Sequence, residues 1–406
     1  MITPPDGSNT NQSRSERPRG QAISFVRAPA RSRLILYVVP EDWYFVTHRL
    51  PLAEASLKAG YRVVVATRVG EAVGRIRDAG CEVIALRWPR GGGRPWVELS
   101  VIHELARVLR SVRPDLVHYV ALKAVVFGNV AERLAGARNA RVNAIAGLGY
   151  VFSSADLRAR LLRPVLKAGL AVSLRRSRSK TIVQNGADAE ALIRASVVRP
   201  TDLVLIRGVG VDLDSFRPSP MPAGLPCVVF AGRMLWDKGV GDFVEAARRL
   251  RQNAVAVRMQ LVGAPYVSNP ASVSAAQIET WVREGVIEWL GHRTDMPAVL
   301  SRASVVCLPS TYGEGVPKIL LEAAAAGRPI VTTDTPGCND VVRHAWNGLL
   351  VPKHDPDSLA RALQGLLSDP ALREDMGRKG RERAELEFSL DKTVSETLRI
   401  YDQLLS

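Results

Sequence analysis

Cysteine is scarce in this chain, with four in 406 residues, and the positions exclude more than the number does. Cys81, Cys227, Cys307 and Cys338 share no metal-ligand or disulfide spacing. Most have apolar neighbours, as reduced thiols of a cytosolic protein would. No run of about 18 apolar residues occurs, so a membrane-spanning helix is not expected. The opening "MITPPDGSNTNQSRSERPRGQ" lacks the apolar stretch of a signal peptide and is rich in Pro, Ser and Arg. Residues 1–32 therefore read as a disordered tail. Acidic residues are outnumbered: 55 Lys and Arg face 40 Asp and Glu, a formal charge of +15. Nucleic acid, anionic lipid and phosphorylated substrates all fit such a balance. The chain has no helix-turn-helix, zinc or RNA-binding signature and few aromatics near its basic residues, which disfavours nucleic acid.

The composition, 47% hydrophobic and 23% charged, is that of a globular protein, and the length suits two domains. A strand–helix alternation begins at "RLILYVVP" (33–40) and continues through "RVVVATRV", "CEVIALRW", "DLVHYV", "RVNAIAG" and "KTIVQNG". The helical stretch "HRLPLAEASLKAGY" lies between the first two. After a Gly/Pro/Asp-rich linker (208–226) the pattern restarts with "CVVFAGRM", "VRMQLVGAP", "VIEWLGH", "SVVCLPS", "RPIVTTD" and "GLLVP". Such alternation implies parallel sheets covered by helices on both faces. Two doubly wound domains in series are expected, 33–207 and 227–385, with a C-terminal helix (386–406) that could pack anywhere on the exterior. Ligands of such sheets bind at the carboxyl ends of the strands, and a cleft between the domains is the natural active site.

Arg233 and Lys238 follow the first strand of the second domain directly. A planar donor fork beside a compact point charge suits a diphosphate. Another strand end, "CLPS", delivers Glu314 to the same edge. Pro317 fits the first turn of the helix that follows, leaving the amides of Lys318 and Ile319 and the positive helix end for phosphate. Glu322, between "ILL" and "AAAAG", lies about two turns beyond Glu314 and within about 80° of its face. One carboxylate could hold sugar hydroxyls near the phosphates and the other the hydroxyls of a nucleoside. A buried structural carboxylate is the plain alternative for Glu322.

"GRMLWDKG", "GHRTDMPAVLSRASVVCLPSTYGEGVPKILLEAAAAGRPIVTTDTPG" and "NGLLVP" resemble the donor half of the GT4 family of retaining glycosyltransferases, which have the GT-B fold. The family's Glu–seven residues–Glu signature falls on Glu314 and Glu322. "FVTHRLPLAEASLKAGYRVVVATR" and "DLVHYVALKAVVFGNVAERLAG…GLGYVF" resemble bacterial members that build exopolysaccharide, capsule or O-antigen on a lipid carrier. The resemblance implies a nucleotide diphosphate sugar, UDP-sugar favoured, as co-substrate, with no cofactor and no metal. It implies that Arg233 and Lys238 hold the diphosphate and stabilise the departing charge, that Glu314 contacts the transferred sugar, and that Glu322 contacts the ribose. Gly315, Val316, Lys318 and Ile319 would line the donor, and backbone at His292 and Arg293 the base. His118, at the end of "DLVHYV", matches a family histidine beside the donor sugar.

Two features depart from the family pattern. Many relatives carry a glycine-rich loop after the first strand, where this chain has "VVPEDWYFVTHRLP"; His48 or neighbouring backbone would serve there. Many also have glycine at the position of Pro317 and an apolar residue at that of Lys318. Lys123 is a second candidate, with His48, for the acceptor and its phosphate. The segment 155–180 sets Arg158, Arg163, Lys167, Arg175, Arg176 and Arg178 among leucines and valines, a pattern that can lie in an anionic membrane interface. The expected function is sugar transfer to a lipid-linked, polyprenyl-diphosphate saccharide by a cytoplasmic protein peripheral to the inner face of the membrane. A GT-B epimerase or hydrolase would need further carboxylates from the first domain, for which Glu41 and Asp42 are nearest. An inactive donor-binding scaffold is the remaining alternative.

Overall fold

The computed structural model describes residues 32–89, 95–148, 167–267 and 269–406. Residues 1–31 of the expected tail, Arg158 and Arg163 lie outside these residues. The first sheet takes β1 (Leu34–Glu41), β2 (Arg62–Arg68), β3 (Glu82–Ala85), β4 (Leu116–Val120), β5 (Ala140–Ile145), β6 (Ser179–Val183) and β7 (Leu203–Leu205) in the order β3-β2-β1-β4-β5-β6-β7. The second takes β8 (Cys227–Ala231), β9 (Arg258–Val262), β10 (Glu288–Trp289), β11 (Val305–Leu308), β12 (Ile330–Thr333) and β13 (Gly348–Val351) in the order β10-β9-β8-β11-β12-β13. The strand pairs are parallel. Strands β4, β5, β8 and β11 are buried along their whole length, as a sheet with both faces covered requires.

In each sheet the chain reverses its direction of travel at the first strand: β1 lies between β2 and β4, and β8 between β9 and β11. Ligands enter at such switch points, because the connections leave the two neighbouring strand ends in opposite directions and open a crevice between them. The segments after β1, β8 and β11 thereby become the walls of the site.

Helices fill the connections: α1 (Asp42–His48), α2 (Leu50–Lys58), α3 (Val73–Asp78), α4 (Pro95–Val112), α5 (Leu122–Ala135), α6 (167–174) and α7 (Gly186–Arg194) in the first domain. The second adds α8 (Val240–Gln252), α9 (Ala275–Arg283), α10 (Met296–Ser301), α11 (Lys318–Ala325), α12 (Pro356–Ser368) and α13 (Pro370–Arg383), and α14 (Leu390–Leu405) ends the chain.

Helix α1 is not apparent from "DWYFVTH", whose aromatic and β-branched residues are weak helix formers. A tertiary anchor fixes it. Buried Asp42 accepts hydrogen bonds from Gly70 N (2.7 Å) and Ala72 N (3.1 Å), tying the start of α1 to the segment after β2. Strand β7 is three residues long at a sheet edge, too short for a periodic signal. Helix α14 does not rest on the domain that precedes it. Ile400, Tyr401, Leu404 and Leu405 pack with Ile35, Tyr37 and Val142 of the first domain. The chain thus crosses twice, and the crossings pair: Val211 N donates to Phe388 O and Leu390 N to Val211 O, both 2.9 Å.

Candidate active site

Two adjoining chambers open at the switch points. The first, about 350 Å³, is lined by Tyr266, His292, Arg293, Met296, Ile319 and Glu322 among others. The second, about 470 Å³, includes Lys238, Glu314, Gly315, Val316 and Lys318 from one domain and Trp43, Tyr44 and His48 from the other. Trp43, Gly232, Arg233 and Ile319 line both, so the chambers are one cleft.

Each charged side chain is placed by backbone. β8 ends at Ala231, and a 3-10 turn over Trp236–Lys238 carries Lys238 back over the sheet edge. That turn needs Gly239: its φ is +76°, and a Cβ there would lie 2.0 Å from Pro309 O. Lys238 Nζ forms an ion pair with Glu314, which also accepts from Ser310 Oγ at 2.8 Å. The Arg233 guanidinium stands 5.4 Å from the Tyr266 ring centre, a cation–π contact at the junction of the chambers.

Helix α11 begins at Lys318, with Pro317 as its N-cap residue in extended conformation. The cleft runs past its first turn, where amides without helical partners and the helix dipole favour an anion. Glu322 is buried, and burial pushes its carboxyl above the usual range while Lys318 opposes the shift. Lys318 Nζ lies 2.9 Å from Glu322 Oε1. Where many relatives have an apolar residue, Lys318 therefore serves as the ion-pair partner of the buried Glu322. Glu322 is thus neither unpaired nor sealed off, since it still lines the first chamber. His292 and Arg293 line the same chamber. The Arg293 guanidinium is taken by Asp295 (Nε to Oδ1, 2.8 Å).

On the opposite wall, α1 presents rings. Tyr44 and His48 stack at 4.1 Å with planes 11° apart, and Trp43 meets Tyr266 edge-on at 6.4 Å across the cleft. His48 Nδ1 lies 3.1 Å from Tyr44 O. A carbonyl only accepts, so Nδ1 carries the proton and Nε2 keeps its lone pair. Burial, aided by Arg49, pushes the His48 pKa down to about 3, which keeps the ring neutral. Trp43, Tyr44 and Tyr266 were not among the residues expected from the sequence. The aromatic run "DWYF" directly after the first strand was the available signal.

Several expected residues do not reach the cleft. His118 is buried in mid-strand, stacked on Tyr37 at 5.2 Å and bonded through Nδ1 to the Tyr401 hydroxyl of α14. Its side chain faces the helix-covered side of the sheet, because α14 occupies that face; it cannot touch a donor sugar. Lys123 pairs with Glu98 (3.1 Å) and lies over Phe127, outside both chambers. Arg176 pairs with buried Glu132 (3.3 Å), and Arg178 donates to Leu404 O (3.0 Å). Arg176 is thereby half-buried, and of the expected membrane face Lys167, Arg175 and Arg178 remain exposed among the described residues. Glu41 pairs with Arg68, and Asp42 is consumed by backbone amides. Neither serves as the extra acid or base that an epimerase would need. No helix among the described residues is long and apolar enough to cross a membrane.

Comparison with known proteins matches both halves of the chain to glycosyltransferase families. Residues 34–182 match the model described as glycosyl transferase 4-like, and residues 225–369 that of glycosyl transferases group 1. The N,N'-diacetylbacillosaminyl-diphospho-undecaprenol alpha-1,3-N-acetylgalactosaminyltransferase of Campylobacter jejuni is 28% identical over 370 residues, covering 88% of this chain and 95% of that protein. The UDP-Gal:alpha-D-GlcNAc-diphosphoundecaprenol alpha-1,3-galactosyltransferase of Escherichia coli is 25% identical over 317 residues, covering 75% of this chain and 79% of that one. Among solved structures, Anabaena HepE in complex with UDP and glucose superposes with a TM-score of 0.71 at 18% identity, over 91% of this chain and 99% of that one.

Proposed function

The chain belongs to the GT4-like, group 1 glycosyltransferases of GT-B fold, and from that premise we propose that it moves a sugar from a UDP-sugar to a hydroxyl of a polyprenyl-diphosphate-linked saccharide, retaining the anomeric configuration. One observation carries the reading: Arg233 and the first turn of α11 meet where a chamber holding Glu322 joins a chamber holding Lys238 and Glu314. A nucleoside fits the first, with Glu322 accepting from ribose hydroxyls and Tyr266 beside the base. The diphosphate falls at the junction and the sugar beside Glu314.

In the transfer, the bond from anomeric carbon to diphosphate breaks as the bond to the acceptor oxygen forms. The acceptor proton leaves with the diphosphate. Negative charge grows on the departing group, and fixed cations beside it lower the barrier without having to reorganise. Glu314 orients the sugar through its hydroxyls. His48 Nε2 offers a lone pair to an acceptor hydroxyl from the opposite wall. No further cofactor enters this reading. The acceptor class agrees with the names of the Campylobacter and Escherichia relatives, and the UDP donor with that of the Escherichia one. An acceptor anchored in lipid would bring the protein to the inner face of the membrane as a peripheral enzyme, with Lys167 and Arg175 available to anionic headgroups.

The test has two arms. Thermal-shift titration with UDP, GDP, ADP and CMP should show selective stabilisation by UDP, about 2.7 kcal/mol at a hundredfold excess over Kd. Transfer from UDP-hexoses to undecaprenyl-diphosphate N-acetylhexosamine, with the product anomer read by NMR, should depend on the lipid-linked acceptor. Folded protein that responds to none of the nucleotides would overturn the donor assignment, and turnover indifferent to acceptor would mean hydrolysis.

A further inference from the structure

Asn185 ends the "TIVQNG" stretch and has no part in the chemistry above. It is fully buried at the carboxyl end of β6, and its side chain does two separate things. Oδ1 accepts from Asp188 N at 2.7 Å, which caps α7. Nδ2 reaches into the other domain and donates to Glu314 O (2.8 Å) and Gly315 O (3.1 Å), with Asp188 Oδ2 at 2.9 Å as a third partner. Its neighbour Gln184 accepts from Val316 N through Oε1 at 3.3 Å. Asp340 of the second domain completes the contact by accepting from Gly186 N at 3.3 Å.

The three residues grasped through their backbone, Glu314 to Val316, form the loop that presents the Glu314 carboxylate to Lys238. Gly315 permits the grasp: a Cβ there would lie 2.1 Å from Gln184 Oε1 and 3.1 Å from the carbonyl carbon of Ala146. The loop therefore receives its position from the opposite domain, while its one charged side chain points into the cleft.

We propose that Asn185 is a positioning residue for transfer: it latches the Glu314–Val316 loop from the N-terminal domain, so that the donor site attains its working geometry only when the domains meet at this point. The inference rests on the assignment of Glu314 to the donor sugar. A displacement of about 1 Å in a reacting constellation can cost on the order of a hundredfold in rate, so the latch acts on turnover more than on nucleotide affinity.

The capping role makes a clean test possible. Serine caps as well as asparagine but cannot reach across, whereas alanine loses both functions. Asn185→Ser is expected to lower the melting temperature of the apo protein less than alanine does, since the cap is kept and only the bonds across the domains are lost, to lower kcat about 10- to 100-fold, and to leave Kd for UDP within about twofold. Asn185→Ala should show the same kcat loss together with a lower melting temperature. A kcat loss confined to the alanine variant would reduce Asn185 to a helix cap, and an equal loss of UDP affinity in the serine variant would make it part of the binding site; either overturns the latch. Amide exchange over residues 312–319, read by mass spectrometry, should rise in Asn185→Ser whether or not a substrate has been found. Unchanged exchange would also overturn the proposal, and this arm separates its failure from a wrong assignment of the reaction.

Discussion

The two walls of the cleft are built from different material. The C-terminal wall offers charge: Arg233, Lys238, Glu314 and Glu322, with the end of α11. The N-terminal wall offers rings: Trp43, Tyr44 and His48 on α1. A departing diphosphate is stabilised by fixed charge in a partly dry site. A saccharide acceptor needs a flat surface that displaces water and a few directed hydrogen bonds. The two materials suit the two proposed substrates, with Trp43 also reaching the first chamber, and the division can be broken one residue at a time.

The largest effect is expected from Lys238→Ala. Removing one group that stabilises charge only in the transition state costs roughly 10²–10³ in kcat, with a smaller change in Kd for UDP. Initial rates at saturating donor measure this. A loss below tenfold would mean that the charge burden does not rest on this wall.

Glu322 comes next and acts on binding. Glu322→Ala should raise Kd for UDP about 10- to 100-fold, the range for hydrogen bonds of about 1.5–3 kcal/mol to a charged group. The same residue should cost stability. Burial holds its folded-state pKa above the ordinary value, so the folded state binds the proton more tightly than the unfolded chain. Stability then falls as pH rises from the unfolded pKa through the raised one. Glu322→Gln should therefore melt higher than wild type near pH 8 in the absence of nucleotide, and gain less from UDP. Melting curves across pH 4–8 would show the reverse if Lys318 outweighed desolvation.

The ring wall predicts a smaller change. Trp43 meets Tyr266 at 6.4 Å, and an aromatic contact contributes about 0.5–1.5 kcal/mol beyond its buried area. Trp43→Ala should raise KM for the donor roughly 3- to 10-fold. Its melting temperature should hold, since Trp43 is 37% exposed. An unchanged KM would leave the first chamber to the C-terminal domain alone.

The walls also differ in how well they could be read from the sequence. Arg233, Lys238 and Glu314 stand just past apolar runs that are strands, and Glu322 on the helix after them. Local pattern places such residues before any tertiary contact is known. The sheets were legible for the same reason, except the three-residue edge strand β7. His48 is legible from its place after the first strand, but Trp43 is not: α1 is anchored by Asp42 bonding to Gly70 and Ala72, some 30 residues away, and no local period encodes that. Lys123 and Arg176 look like free cations in sequence, yet Glu98 and Glu132 come from other elements to claim them. His118 was misplaced because a strand shows that a residue lies near the sheet edge, while the covering of its face depends on α14, 283 positions further on.

That misplacement yields the smallest expected effect on transfer. His118→Phe keeps a ring against Tyr37 and removes the Nδ1 partner of the Tyr401 hydroxyl. Turnover and donor KM should stay within about twofold, since no atom of His118 touches the cleft. Stability should fall by about 0.5–1.5 kcal/mol, because the Tyr401 hydroxyl loses one hydrogen bond and keeps the one to the Tyr37 hydroxyl at 3.0 Å. The pH dependence distinguishes the two roles further. Burial holds the His118 pKa well below 6.5, so the folded state resists a proton that the unfolded chain accepts. Its contribution is fully present above the unfolded pKa and is lost as pH falls below it. Wild type should lose melting temperature between pH 7 and 5, and His118→Phe should lose less over that interval. A large drop in kcat with an unchanged acid limb would return His118 to the donor sugar and make the C-terminal helix, rather than α1, the ring wall's working partner.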